Sequence, residues 1–485
     1  MEVEKHTAPS PEVGPQLIPR VADTLARVRM APSSLRNRFL QATILAIALL
    51  ELYYFGIIPN FTNSSYFLAA SFLLSLVFTI KVPGPRLMKC GFVLAGCCLG
   101  LALTDLSMRS FLTTKIYGPR ELFMFKWAPA PYLSRFSPNV SFTGVVTGDL
   151  AHNRGFQAYQ TERTIVFKTD SYGFRNDYAE GGQTQGPIDL IMLGDSFGTG
   201  VGTTQGETWA SILGQRYQMR TYNLSMPESG PWQELMNLKI ESKRLHTDKK
   251  TIVLWALFSG NDLDDPYGDE LTPSVSHSWW GPIHSTLLTF RNLSPIRAVA
   301  EGFQWRLRHR SVNPVVARRL ADGRNVLFRP RYEIAVERTY DQVKRHPNYS
   351  KLVVVIDEMK SFTDAVHLSV VVVMVPAKEE VYSWILNGTT MAANDTSSGF
   401  SKAVAERCDA DGLTFLDLKP LLVEEARREF GQSGQLLWWN DDTHWNGRGQ
   451  EFAAFTVYDR LIGPMKKAQA AGHTGHGING NQFHR

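Results

Sequence analysis

Short apolar runs alternate with segments of helical periodicity from Ile188 to Ile462, and this alternation constrains the fold more than any other feature. The runs typical of strands are Ile188–Leu193, Arg220–Leu224, Thr251–Phe258, Leu368–Val375 and Leu413–Leu418, with a further strand at Thr164–Lys168. The segments with a helical pattern are Glu207–Tyr217, Trp232–Leu245, Phe400–Asp411, Pro420–Phe430 and Gly447–Ile462. Because such alternation is typical of βαβ units, it predicts an α/β fold with a doubly wound parallel sheet.

Three apolar stretches in the first quarter of the chain predict a membrane anchor. They are Phe39–Ile58, Tyr66–Val82 and Cys90–Leu103. The first approaches the ~20 residues that a helix needs to cross a bilayer, and the second and third form either two more spans or a re-entrant hairpin. The largely polar residues before the first stretch argue against an ordinary cleavable signal peptide.

Basic residues set the expected orientation of this anchor. Five arginines precede the first span, and Lys81, Arg86 and Lys89 lie between the second and third, whereas the loop at residues 59–65 has no charge. The positive-inside rule then places the N-terminus in the cytoplasm. Three crossings place the remainder outside it, as expected for a bacterial inner-membrane protein that faces the periplasm.

The same observations predict the organisation of the domains. We expect a cytoplasmic tail at residues 1–38, a three-span anchor at 39–105, a linker and N-terminal extension at 106–163, the α/β domain at 164–465 and a disordered tail at 466–485. The stretch from about residue 267 to 347 interrupts the alternation and is interpreted as a helical insertion. Its many arginines are typical either of a solvated cap or of a surface that contacts anionic lipid headgroups or an acidic glycan.

The composition narrows the classes of partner and cofactor. A formal net charge of +5, without a basic block or zinc-finger spacing, gives no indication of nucleic-acid binding. Three of the four cysteines lie in the third apolar stretch, so Cys408 is alone in the rest of the chain and a disulfide-stapled fold is not expected. We expect neither a cofactor nor a metal ion.

Three polar clusters lie where the predicted elements would bring them to one edge of the sheet. Gly194–Phe197 follows the first strand, Gly260–Asp262 follows the third, and Asp441–His444 precedes the closing helix. Open α/β sheets build their active sites at this edge. A serine hydroxyl becomes a good nucleophile when a histidine takes its proton and a carboxylate orients that histidine. We therefore predict Ser196 as nucleophile and His444 as base, the simpler alternative being a turn that only caps a helix.

Taken in order, these clusters resemble the motifs of the SGNH (GDSL-type) hydrolase superfamily, from about Thr164 to Ile462. The resemblance implies the flavodoxin-like, three-layer form of the doubly wound fold. It also implies an Asp-x-x-His pair in which Asp441 orients His444. Asp442 is the alternative, because it has the Asp-x-His spacing of some polysaccharide acetyltransferase relatives.

The resemblance further implies an oxyanion hole, the set of donors that stabilises the negative charge formed in acyl transfer. Asn261 matches the family's side-chain amide donor. Glu228 occupies the position where the family has an oxyanion glycine, so we expect Gly230 to supply the backbone donor instead. Three tryptophans near the base either stack on a sugar ring or form the wall of the core, namely Trp438, Trp439 and Trp445.

The predicted function is that of a membrane-anchored, extracytoplasmic serine esterase. Its expected substrate is an O-acyl ester of an envelope or exported glycan, most simply an O-acetyl ester. The first alternative is an O-acetyltransferase that passes the acyl group to a polysaccharide hydroxyl beside a multi-span acyl-transporting partner. A second alternative is a non-catalytic glycan-binding or assembly protein on the same fold.

Overall fold

A parallel five-stranded sheet is the centre of the described part of the chain, which in this computed structural model comprises residues 118–119, 123–125, 133–152, 156–177, 186–267, 315–389 and 396–470. All of these residues belong to one compact unit. No helix within these ranges is long and apolar enough to cross a membrane. The predicted spans at 39–105 lie outside the described residues.

The strands follow one another along the described residues as eleven short elements. They are β1 (Met124–Phe125), β2 (Arg135–Phe136), β3 (Ser141–Val146), β4 (Arg163–Lys168), β5 (Leu190–Leu193), β6 (Thr221–Asn223), β7 (Ile252–Phe258), β8 (Val316–Arg319), β9 (Asn325–Phe328), β10 (Ser369–Val375) and β11 (Thr414–Asp417).

The helices between them confirm the alternation. They are α1 (Ser196–Thr199), α2 (Trp209–Tyr217), α3 (Pro231–Glu241), α4 (Pro330–Val336), α5 (Tyr340–Lys344), α6 (Tyr349–Ala365), α7 (Lys378–Val381), α8 (Ser383–Asn387), α9 (Gly399–Ala410), α10 (Lys419–Ser433), α11 (Gly447–Val457) and α12 (Gly463–Ala470). A π-helical turn, Tyr458–Ile462, joins the last two.

The central sheet has the order β6-β5-β7-β10-β11, and every neighbouring pair is parallel. Numbered along the chain, this order is 2-1-3-4-5, which is that of flavodoxin-like doubly wound sheets. The predicted α/β class and the five predicted sheet strands are therefore confirmed. The ends of β7 and β10 lie side by side, because Phe258 pairs with Val375 in the register.

Alternate residues of these strands enter two separate cores, one on each face of the sheet. Leu254 of β7 lies in the core that α2, α10 and α11 cover, whereas Val253 and Trp255 lie in the core that α3, α6 and α9 cover. Each core consists of fully buried apolar side chains, so the sheet is covered on both faces. Cys408 of α9 belongs to the second core, and burial raises the pKa of its thiol to about 12.

The pattern did not predict the longest helix of the described residues, α6, which has 17 residues. It buries Leu352, Val355, Ile356 and Met359 at helical spacing. Valine and isoleucine are more frequent in strands than in helices, so this segment has a weak helical signal. It supplies the crossover that a parallel β7–β10 pair requires.

Two antiparallel hairpins extend the sheet domain, and both bear on the predicted boundaries. Strands β3 and β4 pair across residues 141–168, which joins part of the predicted linker to the catalytic domain. Strands β8 and β9 pair within the predicted insertion, whose residues 268–314 lie outside the described ranges. Helix α12 continues to Ala470, so the predicted disordered tail does not begin at residue 466.

Candidate active site

Ser196 begins a single helical turn directly after strand β5. The turn is capped by Asp195, whose carboxylate accepts a hydrogen bond from the backbone N–H of Phe197 at 2.8 Å. Gly194 before it has φ 156°, and a Cβ at this position would lie 3.1 Å from the Cβ of Ala256 on β7. The motif therefore caps a helix and also presents a serine at the carboxyl edge of the sheet.

His444 contacts the Ser196 hydroxyl through one ring nitrogen and a carboxylate through the other. Its Nε2 lies 2.8 Å from Ser196 Oγ, although the two residues are 248 positions apart in the chain. Its Nδ1 lies 2.6 Å from Oδ1 of Asp442. These distances are those of hydrogen bonds, so serine, imidazole and carboxylate form one connected chain.

The acid in this chain is Asp442, which corrects the prediction that Asp441 orients the base. Oδ1 of Asp442 also accepts the backbone N–H of His444 at 3.1 Å, which fixes it beside the imidazole. Burial by itself would raise the pKa of Asp442, but His444 and Arg163 hold that pKa well below its usual range. Asp442 is therefore ionised and suited to stabilise an imidazolium.

Asp441 instead fixes the position of the loop that carries the acid and the base, residues 439–444, called here the acid–base loop. Its fully buried carboxylate accepts the backbone N–H groups of Gly148 at 2.9 Å and Thr161 at 2.8 Å, and a guanidinium N–H of Arg163 at 3.0 Å. These donors lie about 280 residues earlier in the chain and belong to the β3–β4 region. Because three donors hold this buried carboxylate, the role of Asp441 in this geometry is structural.

Arg163 is a buried cation that connects both carboxylates of the loop. It forms ion pairs with Asp441 and Asp442, and its guanidinium lies over the ring of Trp439 at 4.4 Å. The residue is 8% exposed. Sequence reasoning missed Arg163, because its position directly before the predicted strand Thr164–Lys168 gave no signal of a partner so far along the chain.

Asp149 adds a third carboxylate beside the loop, in addition to those of Asp441 and Asp442. It accepts the backbone N–H of Thr443 at 2.7 Å and the Thr443 hydroxyl at 2.9 Å. Burial and the charge of Asp442 raise the pKa of Asp149. Asp149, Asp442 and His444 have ligand atoms within 4.8 Å of one another, close enough to share a cation. A metal ion there would compete with Ser196 or Asp442 for the imidazole nitrogens.

Lys378, the first residue of helix α7 after strand β10, supports the same loop. It is 1% exposed, and its Nζ donates to four backbone carbonyls. One belongs to Leu327 of β9, at 2.9 Å. The other three lie in the acid–base loop, at Trp439, Asn440 and Asp442, at 2.7, 3.2 and 3.1 Å. Burial lowers the pKa of Lys378 to about 8. A signal for it existed, because it follows a predicted strand as Ser196 and Asn261 do.

The predicted oxyanion residues lie on the loops after β6 and β7. Gly230 has φ −97° and donates its N–H to Gln233 Oε1 at 3.0 Å, so this donor is already engaged, which contradicts its predicted role. Glu228, at the expected glycine position, has φ 64°. Glycine adopts this left-handed conformation at least cost. Glu228 therefore has a backbone conformation typical of glycine, at the position where the resemblance leads us to expect a glycine.

Asn261 lies in the turn after β7 and is partly buried. Its Nδ2 donates to the carboxylate of Asp265 at 3.1 and 3.3 Å. The loop after β6 approaches the serine motif, because Met226 N–H donates to the carbonyl of Gly194 at 3.0 Å. Phe258, at the end of β7, packs on Phe197 with ring centroids 4.6 Å apart. The loops after β5, β6 and β7 are therefore in contact.

Two of the three tryptophans near the base belong to the core, which decides between the two interpretations for them. Trp438 and Trp445 are both fully buried. Trp445 packs against Phe197 and Trp209 with ring centroids 5.1 and 5.5 Å apart. Rings enclosed in this way cannot stack on a sugar. Trp439 is half-buried beneath Arg163.

Comparison with known proteins gives one family match and several structural ones. Residues 339–475 match the family described as SGNH hydrolase-like domain, acetyltransferase AlgX. No curated protein matches the chain. The matched segment contains the acid–base loop, whereas Ser196 and Asn261 precede it.

Solved structures of esterases are also similar to the chain. The psychrotrophic esterase EstA from Pseudoalteromonas sp. is 12% identical, with a TM-score of 0.29 over 57% of this chain and 99% of that one. A G-D-S-L family lipolytic protein from Veillonella parvula is 11% identical, with a TM-score of 0.27 over 56% and 97%. A carbohydrate esterase is 10% identical, with a TM-score of 0.29 over 70% and 91%. The resemblance to the SGNH hydrolases is confirmed by the match of residues 339–475 to the SGNH hydrolase-like acetyltransferase AlgX domain.

Proposed function

We propose that this protein is a serine esterase that removes O-acyl groups, most simply O-acetyl groups, from a glycan through an acyl-serine intermediate. The observation that supports this most directly is the connected chain Ser196 Oγ–His444–Asp442, with contacts of 2.8 and 2.6 Å. A serine hydroxyl within hydrogen-bond distance of a histidine that a buried carboxylate orients is the arrangement that activates a nucleophile.

The chemistry follows from these contacts. Ser196 Oγ attacks the ester carbonyl while His444 Nε2 takes the hydroxyl proton, and the charge of Asp442 stabilises the imidazolium. The tetrahedral oxyanion is stabilised by the amide of Asn261 and by backbone donors of the adjoining loops. The leaving sugar oxygen then receives the proton from His444. Water, activated by the same histidine, hydrolyses the acyl-serine and restores the enzyme.

Transfer to a sugar hydroxyl is the second candidate, and the acetyltransferase family match over residues 339–475 favours it. It needs no further catalytic group, because His444 can activate a sugar hydroxyl as it activates water. In this version a multi-span membrane partner supplies the acyl group. We also propose that the predicted anchor holds the catalytic domain at the outer face of the cytoplasmic membrane, where an exported glycan is accessible.

The test uses the full chain in detergent with an activated acetyl ester. Ser196→Ala should abolish turnover and labelling by a phosphonate, and the acetyl group should be found on Ser196 by mass spectrometry. Ser225→Ala is the matched control. Its hydroxyl is buried and has no hydrogen-bond partner among the described residues, so both readouts should persist. Unchanged turnover and labelling in Ser196→Ala would refute Ser196 as the nucleophile. Absence of both turnover and labelling in the wild-type protein would favour the non-catalytic glycan-binding alternative.

Addition of a glycan acceptor separates hydrolysis from transfer. An esterase releases acetate at a rate independent of the acceptor, and the acceptor mass does not change. A transferase adds acetyl groups to the glycan and releases less acetate as the acceptor concentration rises.

A further inference from the structure

Asp265 lies one turn after Asn261, and its carboxylate engages the side-chain amide predicted to stabilise the oxyanion. Nδ2 of Asn261 donates to its two oxygens at 3.1 and 3.3 Å. The backbone closes the same turn, because the N–H of Asp265 donates to the carbonyl of Asn261 at 2.9 Å. The carboxylate therefore contacts the amide at close range and within one short segment.

This contact determines which end of the amide faces the carboxylate. A carboxylate only accepts hydrogen bonds, so a flipped amide would set the oxygen of Asn261 against a negative charge. In the observed orientation Oδ1 of Asn261 is buried and has no hydrogen-bond partner among the described residues. A buried polar atom without a partner costs free energy, so another interaction must hold the amide in place. The bond to Asp265 is that interaction.

Neighbouring loops fix Asp265 in turn. Nδ2 of Asn348 donates to the backbone carbonyl of Asp265 at 3.2 Å and to that of Leu263 at 3.1 Å. On the other side, a Cβ added to Gly230 would lie 2.9 Å from the Cβ of Asp265. Asp265, in the loop after β7, is therefore packed against the loop after β6, where the oxyanion donors are expected.

We infer that Asp265 is a positioning residue for acyl transfer, because its carboxylate turns the Nδ2 end of Asn261 toward the oxyanion that forms on attack by Ser196. One N–H of Nδ2 is held by Asp265, and the second donates to the oxyanion. Without the carboxylate of Asp265, the amide of Asn261 is free to turn so that its buried oxygen finds a hydrogen-bond donor. The lone pairs of that oxygen then face the developing negative charge. The inference rests on the proposed function and adds a residue that acts through Asn261.

A double-mutant cycle tests this with the full chain and an activated acetyl ester at pH 8.5. Asn261→Ala removes the donor and should lower kcat by roughly 100-fold. Asp265→Ala should lower kcat by roughly 10-fold with little change in KM, because the amide of Asn261 would then leave its donating orientation for only part of the time. The double variant should match Asn261→Ala within about 2-fold, because Asp265 has nothing left to position.

Asp264→Ala is the matched control. Its carboxylate pairs with Arg338 at 2.9 Å and His346 at 3.3 Å instead of with Asn261, so kcat should be retained. Should Asp265→Ala fold poorly, Asp265→Asn keeps the shape and one acceptor oxygen and should give an intermediate kcat in the same cycle. If the loss of kcat in the double variant equals the product of the two single losses, the inference is overturned. That result differs from failure of the proposed function, in which Ser196→Ala leaves turnover intact.

Discussion

The neighbouring aspartates of the acid–base loop provide a matched pair of variants, Asp441→Asn and Asp442→Asn. Both carboxylates are fully buried, and both form an ion pair with Arg163. Only Asp442 contacts the imidazole of His444, at 2.6 Å. The two substitutions therefore remove the same charge beside the same cation but differ in their relation to the base.

The contacts give the expected magnitudes. An asparagine at position 442 can donate to Nδ1 of His444 and so favours the tautomer with its proton on Nε2, which cannot accept the proton of Ser196. Loss of the correct tautomer lowers kcat by ~10⁴ in serine proteases, equivalent to about 5.5 kcal/mol of activation free energy. Asp441→Asn leaves this tautomer unchanged, so we expect a kcat loss of less than about 10-fold.

Stability should respond to both substitutions. Breaking a buried ion pair costs ~3–5 kcal/mol when the remaining charge has no other partner. Arg163 keeps its second carboxylate in each variant, so we expect the free energy of unfolding to fall by about 2–3 kcal/mol in both. Because the two variants should be destabilised by similar amounts, a difference in kcat between them cannot be caused by a difference in folding.

The assay combines kcat for an activated acetyl ester with urea unfolding of the same preparations. The expected result is a large difference in kcat between variants of similar stability. A loss of ~10³ or more in Asp441→Asn, with kcat retained in Asp442→Asn, would refute the assignment of Asp442 as the orienting acid. Equal losses of kcat in both would show that loop geometry, and not the tautomer, limits the reaction.

Two further predictions concern the groups around this machinery. Lys378→Met removes the ammonium donor from four backbone carbonyls, of which only that of Asn440 keeps a close second donor among the described residues, the N–H of Leu327 at 2.8 Å. The free energy of unfolding in urea should therefore fall by about 3 kcal/mol or more, and kcat should fall with it. Lys344→Met, at a surface ion pair with Glu406, is the control and should change neither quantity. The second prediction concerns pH. Burial and the charge of Asp195 raise the pKa of Asp265 to about 7, against a lowering by Asn261 and Arg331 and with the smallest contribution, a rise, from Asp264. The other titratable groups that face it are Glu234, Asp262 and Tyr267. Because the folded state holds this proton more tightly than the unfolded chain, Asp265 lowers stability progressively as pH rises from about 4 to 7. Relative to Asp265→Asn, the free energy of unfolding of the wild-type protein should therefore fall by about 2–3 kcal/mol between pH 5 and pH 8 in urea titrations, and a constant difference would contradict the raised pKa.

The fold and the serine–histidine pair could be predicted because each has a local signal. Strands buried on both faces are continuous apolar runs, as in Thr251–Phe258, and the structure has a strand at Ile252–Phe258. Parallel strands joined by helices bring their carboxyl ends to one edge. Polar residues directly after such a strand therefore meet polar residues from distant parts of the chain, which is how Ser196 and His444 come within 2.8 Å.

The choice between Asp441 and Asp442 had no local signal. Both carboxylates lie within three residues of His444, so spacing alone allowed either. The difference arises from Gly148, Thr161 and Arg163, whose donors engage the first carboxylate and leave an oxygen of the second for the imidazole. Contacts across about 280 residues cannot be inferred from the pattern around the histidine.

The acid–base loop is held by three segments that are far apart in sequence. The β3–β4 region binds Asp441, strand β9 binds Asn440 through the N–H of Leu327 at 2.8 Å, and Lys378 after β10 binds three of the loop carbonyls. The catalytic geometry therefore depends on a hairpin that precedes the nucleophile, β3–β4, and on another within the predicted insertion, β8–β9. Since a base displaced by about 1 Å loses much of its activity, loss of either hairpin should inactivate the enzyme even if the five-stranded sheet remains folded.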